Sequence, residues 1–187
     1  MLRIIAVRTG DKFDQWYEDN LKHMIDTHSQ LKYDEFVVIR DDQYEGVFNK
    51  LLMFDRYRNG QNLYFDLDVV IKGDCNYFRS NHLTVCHAWW RDAWHTPLNS
   101  SIISWTGDVS HIHDMFAKDP EYYMLKYEKG IDQYLYENFE VDTYSQKNKY
   151  CSFQTVKDKL GYDVYLFNQM FEQMKQPGWI HEFQLPL

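Results

Sequence analysis

Hydrophobic and polar positions along the first half of the chain alternate between two regimes. Leu2 to Val7 (LRIIAV) is mostly apolar with poor alternation, which predicts a buried strand covered on both faces. Arg8-Thr9-Gly10-Asp11 breaks that run. Phe13, Trp16, Tyr17, Leu21, Met24, Ile25 and His28 then recur at helical spacing, with Asp11 as the expected cap. Glu35 to Arg40 (EFVVIR) predicts a second strand, stopped by Asp41-Asp42. Val47, Leu51 and Phe54, with Phe48 and Leu52 beside them, mark one stripe of a second helix that Asn59-Gly60 ends. Asn62 to Phe65 is the third buried strand. Strand, helix, strand, helix, strand is the rhythm of a parallel half-sheet in an α/β fold.

The second half is less regular. His82 to His87 (HLTVCH) and Asn99 to Trp105 (NSSIISW) predict strands, and the aromatic stretch Trp89 to His95 between them predicts a loop able to meet a ligand. Val109 to Lys118 and Glu121 to Glu128 predict helices split by Asp119-Pro120. Gly130 opens another, with Ile131, Tyr134, Leu135 and Phe139 on its apolar face. Tyr162 to Phe167 predicts a strand, followed by a short helix and Pro177-Gly178-Trp179-Ile180-His181.

The third strand runs directly into Asp66-Leu67-Asp68 and then Val69-Val70-Ile71. On an extended chain, alternate side chains share a face, so both carboxylates point one way and Leu67 points into the core. Two like charges beside buried apolar residues repel and lose hydration, which calls for a compensating cation. A divalent metal with oxygen ligands answers that need. The carboxyl end of a strand is also where open α/β sheets hold ligands.

Composition narrows the classes. The 187 residues suit one domain spanning 1–187 with a real core. The net charge, 20 − 28 = −8, with no basic block, argues against nucleic acid as a partner. Cys75, Cys86 and Cys151 are odd in number and lack a Cys-x-x-Cys pair, which points to a reducing, cytoplasmic setting. No stretch reaches the length of a membrane span. No Gly-x-Gly-x-x-Gly and no Gly-Lys-Ser/Thr loop occurs, which disfavours dinucleotides and P-loop nucleotides. His111 and His113 lie two apart on a predicted helix and so do not face one another as a zinc pair.

In order along the chain stand an N-terminal strand, Asn49-Lys50-Leu51, Leu63-Tyr64-Phe65-Asp66-Leu67-Asp68 with Lys72-Gly73-Asp74 behind it, Asn99-Ser100-Ser101, and Gly130-Ile131-Asp132-Gln133. From Leu2 to about Phe139 this ordered set resembles GT-A-fold glycosyltransferases, nearest to the glycogenin- and galactosyltransferase-like family 8. The resemblance implies a mixed, mainly parallel sheet flanked by helices. It also implies a nucleoside diphosphate sugar donor, UDP-linked, and manganese or magnesium on Asp66 and Asp68. By similarity Ala6, Val7, Arg8, Thr9 and Asp41 would frame base and ribose, with Leu67 beside the nucleotide. Lys50 would approach ribose or phosphates, and His95, Asn99 and Ser100 would face the donor sugar or acceptor. Asp132 and Gln133 would stand at the transferred sugar as catalytic residues. The acceptor, whether sugar, lipid or protein, is left open.

Each position also has a plainer reading. Lys50 suits a solvated helix surface, Asn99-Ser100 a turn before a strand, and Asp132 a helix N-terminus. His181 corresponds to the family's third metal ligand only through Gly178-Trp179-Ile180-His181, without the Lys-Pro-Trp part. A lone histidine is as readily a hydrogen-bonded structural residue. Two other functions compete. Asp66-Leu67-Asp68-Val69-Val70 matches the nucleophile motif of haloacid-dehalogenase phosphatases, although that motif normally follows the first strand. A catalytically degenerate sugar-nucleotide or glycan-binding domain is the non-enzymatic alternative.

Overall fold

A computed structural model describes residues 1–92, 94–156 and 161–187. The central sheet has six strands in the order β2-β1-β3-β6-β5-β7: β1 (Leu2–Val7), β2 (Glu35–Ile39), β3 (Gln61–Phe65), β5 (Thr84–His87), β6 (Leu98–Thr106) and β7 (Asp142–Thr143). The first three are parallel, β6 runs antiparallel to both β3 and β5, and β7 is parallel to β5. A second sheet of three strands, in the order β4-β9-β8, is built from β4 (Val69–Ile71), β8 (Tyr150–Ser152) and β9 (Val164–Leu166).

Alternation along the strands sorts the core into two layers. Leu2, Ile4, Ala6, Leu63, Phe65 and Ile102 face one side, where they meet the second sheet and Tyr17, Leu21, Met24 and Ile25 of α1 (Gln15–His28). Ile5, Tyr64, Val85, Ile103 and Trp105 face the other, against α2 (Leu52–Arg56), α3 (His111–Phe116) and α5 (Ile131–Asn138). Between α3 and α5 lies α4 (Pro120–Lys126), with Asp119 accepting from the Tyr122 N–H at 3.1 Å. A short α6 (Phe153–Val156) follows β8. Helices on both faces of a mostly parallel sheet explain why β1 and β3 carry unbroken apolar runs. Cys75, Cys86 and Cys151 are all buried, and no described helix is long and apolar enough to cross a membrane.

Several elements depart from the periodicity. The cap of α1 is Asp14, whose carboxylate accepts the Trp16 N–H at 3.0 Å, rather than Asp11. A carboxylate must stand directly at the first turn to reach its free N–H groups, and Asp11 is a full turn too early. The second helix begins as a 3-10 helix, Gly46–Leu51, and becomes α-helical only over Leu52–Arg56. The strand expected over 162–167 is confined to Val164–Leu166, and the tail continues as 3-10 helices Asn168–Lys175 and Trp179–Phe183.

Candidate active site

The acidic turn is the junction between the two sheets. The Asp66 N–H donates to the Ser101 carbonyl at 2.8 Å, prolonging the pairing of β3 with β6. The Asp68 carbonyl accepts the Phe167 N–H at 2.9 Å, just after β9, and so belongs to the second sheet. The chain therefore crosses from one sheet to the other within Asp66-Leu67-Asp68, at the carboxyl end of a central strand. Leu67 is buried in the core, and both aspartates line one cavity of about 760 Å³.

Neighbouring cations only partly offset the pair. Asp66 takes an ion pair from Lys50 Nζ at 2.6 Å and a hydrogen bond from the Tyr64 hydroxyl. Asp68 is only 4% exposed, and among the described residues its closest cation is Lys12 Nζ at 4.0 Å. Burial, then the charge of Asp66, pushes the Asp68 carboxyl up to about 7. A hard divalent cation would relieve this repulsion, and two carboxylates opening on a polar cavity are a donor set suited to manganese or magnesium.

The opposite wall comes from β6 and α5. The backbone of Gly130 has φ +73° and ψ −154°, a conformation reserved for glycine, and it turns the chain into α5. Asp132 then lies on the first turn. Its Oδ1 accepts the Ser100 N–H at 2.8 Å, and its Oδ2 pairs with Arg91 Nη1 at 2.8 Å. Arg91 also donates to the Leu98 carbonyl, tying the aromatic loop to the start of β6. Asn168, at φ +52°, presents Oδ1 to Asn99 Nδ2 and Ser101 Oγ at 3.3 and 3.2 Å. Asn49 pins the rim: its Oδ1 accepts the N–H groups of Gln43 and Tyr44, and its Nδ2 reaches Asp42 and Thr9.

The cavity thus gathers Val7, Thr9, Lys50, Asp66, Leu67, Asp68, His95, Asn99, Ser100 and Asp132 of the residues singled out by sequence. Five others stand elsewhere. Ala6 is buried in the core, Arg8 pairs with Glu18 at 3.2 Å, and Asp41 pairs with Arg56 at 2.6 Å. Gln133 lines a neighbouring cavity of about 670 Å³ with Trp89, Trp94 and His95. His181 lies in the 3-10 helix Trp179–Phe183, which packs near β4, and does not line the acidic cavity. Sequence reasoning passed over Lys12, Phe13, Arg91, Asn168 and Gln169, which do line it. Arg91 sits inside the recognised aromatic loop, but nothing in its spacing points to Asp132, 41 residues on.

No family model and no curated protein matches this chain. Solved structures do. A glycosyltransferase involved in glycosylation of the major capsid of PBCV-1 superposes with a TM-score of 0.66 at 11% identity, covering 94% of this chain and 99% of that one. The glycosyltransferase GlyE of Streptococcus pneumoniae TIGR4 gives 0.61 at 11% identity, over 100% of this chain and 66% of its own. The galactosyltransferase LgtC, solved with donor and acceptor sugar analogues, gives 0.61 at 10% identity over 88% and 86%. The chain has the GT-A fold. At such identities the likeness is one of backbone, and the chemistry of this GT-A domain rests on its own side chains.

Proposed function

We propose that this GT-A domain is a glycosyltransferase that moves a hexose from a nucleoside diphosphate sugar, UDP-linked, to an acceptor hydroxyl with retention of configuration. The observation that supports it most is the under-compensated pair Asp66 and Asp68, opening on a cavity whose far wall is the fixed Arg91–Asp132–Ser100 cluster. In the transfer, the bond between the sugar's anomeric carbon and the diphosphate oxygen breaks and a bond to the acceptor oxygen forms. The acceptor hydroxyl gives up its proton. Asp66 and Asp68 would hold manganese or magnesium, which supplies positive charge to the departing diphosphate.

The chain's own residues do the rest. Val7 and Thr9, at the end of β1, offer an apolar edge and a hydroxyl beside the nucleotide. Lys50 and Lys12 bring ammonium groups to the phosphate side of the cavity. Asp132, oriented through both oxygens, presents fixed polar groups to the sugar hydroxyls, and preorganised dipoles cost no reorganisation during reaction. Leu67, Phe13, Met124 and Ile131 line the remainder and exclude water. The adjoining cavity shares Arg91, Trp94, His95 and Lys129 with the first, so an acceptor entering there reaches the same sugar. Its indole faces suit a sugar ring.

The phosphatase alternative loses ground because Asp66 directly follows the third strand of the chain, not the first, and leads at once into a change of sheet. Incubation with a panel of UDP-sugars and manganese, following release of UDP, tests the proposal. Wild type should turn over at least one donor, and Asp66→Asn should lose about 100-fold or more. Asp132→Asn should lose activity too, and about 1–3 kcal/mol of stability, because Arg91 keeps its charge without a full partner. Nuclear magnetic resonance of the product reads the anomeric configuration. Turnover of an aryl phosphate instead, or equal activity in the three proteins, would reject the assignment. Donor binding without transfer would favour the degenerate binding domain.

A further inference from the structure

On the sheet face covered by α2, α3 and α5, outside the acidic cavity, α2 and α3 bring together Asp55, His113 and Asp114. One potential ligand atom from each lies within 4.8 Å of those of the other two. His113 Nδ1 stands 3.9 Å from Asp114 Oδ1, beyond hydrogen-bond distance. The His113 ring is 9% exposed as a residue, its Nδ1 is sealed from solvent, and that nitrogen has no hydrogen-bond partner. An orphaned buried imidazole nitrogen is costly, and here the Asp114 carboxylate stands beside it, with Asp55 in the same cluster.

We propose that Asp55, His113 and Asp114 form a second divalent-cation site, of the zinc class, that clips α2 to α3. A cation about 2.1 Å from each donor in a tetrahedron sets its ligands roughly 3.4 Å apart, so the trio closes by contracting, the His113–Asp114 separation of 3.9 Å by about half an ångström. One imidazole and two carboxylates are a borderline-hard set that suits zinc and leaves a position for water. Magnesium, which favours all-oxygen octahedra, fits poorly. Arg58 occupies Asp55 Oδ1 at 2.5 Å, which leaves the second oxygen for the ion. His111 takes no part: it is exposed and its ring stacks edge-on against Phe139 at 5.6 Å.

The orienting contact is in place. His113 Nε2 lies 2.9 Å from the Tyr44 hydroxyl, which also accepts from Gln43 Nε2 at 3.0 Å. A cation on Nδ1 fixes the tautomer with Nε2–H donating to Tyr44, as partners of metal-bound histidines do. Tyr44 belongs to the rim held by Asn49, and Glu45 to Phe48 line the acidic cavity. The clip therefore braces the rim, whether or not the domain transfers sugars.

Zinc chloride titrated calorimetrically into chelator-stripped protein tests this. Asp66→Asn/Asp68→Asn protein, in which the acidic turn is neutralised, should still take up one equivalent of zinc and gain thermal stability with it. Adding Asp55→Asn and Asp114→Asn, both at least partly exposed positions, should weaken that uptake at least tenfold while the circular dichroism spectrum stays the same. Cobalt chloride gives a second reading: a visible d–d band should appear in the first protein and vanish in the second. Equal zinc affinity in the two proteins, no uptake in either, or an equal response to magnesium chloride would overturn the site.

Discussion

At Asp68 the energetics of the site reduce to one ionisation. Its carboxyl is pushed up to about 7 by burial and by Asp66, above its ordinary value near 3.8. A raised folded value means that the stability contributed by the protonated form is fully present below about pH 4 and is lost as pH rises through 7. Asp68→Asn removes this dependence. Without metal, the variant should be more stable than wild type at pH 8 by about 2–4 kcal/mol, with little difference at pH 4. Urea unfolding at the two pH values measures it, and a variant less stable than wild type at pH 8 would show that the ionised carboxylate is well partnered. Metal uptake at the acidic turn should strengthen over the same range, because the ligand must be deprotonated.

Among the elements, the entry to α5 is the most exacting. Gly130 caps that helix at φ +73° and ψ −154°, and a Cβ there would stand 2.9 Å from Val47 Cγ2. Val47 is half exposed and can move, so the backbone conformation dominates the cost. Gly130→Ala should lose about 1–3 kcal/mol, and Gly130→Asn should recover little of it, because asparagine tolerates the left-handed helical region but not this one. Thermal melts of the two variants check this, and a full rescue by asparagine would contradict it. The same strain should displace Asp132, so the proposed transfer activity should fall beyond what the lost stability explains.

Across the whole molecule, the two sheets share one apolar layer in which α1, β1 and β3 meet β4, β8 and β9. A layer held in common predicts a single cooperative unfolding transition. Scanning calorimetry should show one peak whose calorimetric and van't Hoff enthalpies agree, and two separated peaks would contradict it. With UDP and manganese at about 100 times the dissociation constant, that peak should move up by the equivalent of about 2.7 kcal/mol. Asp66→Asn should show no such movement.

The linear pattern was sufficient for the strand–helix–strand rhythm, for the acidic turn at the end of β3 and for Gly130 opening a helix. Each depends on neighbours in the chain: burial runs, like charges two residues apart, a glycine at a cap. Local propensity could not place β8 and β7, whose short strands form only because β9 and β5 are there to pair with them. Nor could it choose Asp14 over Asp11, which turns on where α1 begins its first turn. Of the residues tied to the site by resemblance, tertiary packing turned Arg8 toward Glu18, Asp41 toward Arg56 and Gln133 into the next cavity. It also brought in Lys12 and Arg91 from loops with no periodicity to read, and Asn168 from the first residue of a 3-10 helix. Asp55 meets His113 and Asp114 only because α2 packs on α3, a contact between segments more than 50 residues apart. Periodicity reports which face of an element is buried, and a site is made where loops from several elements converge, which only the packed chain determines.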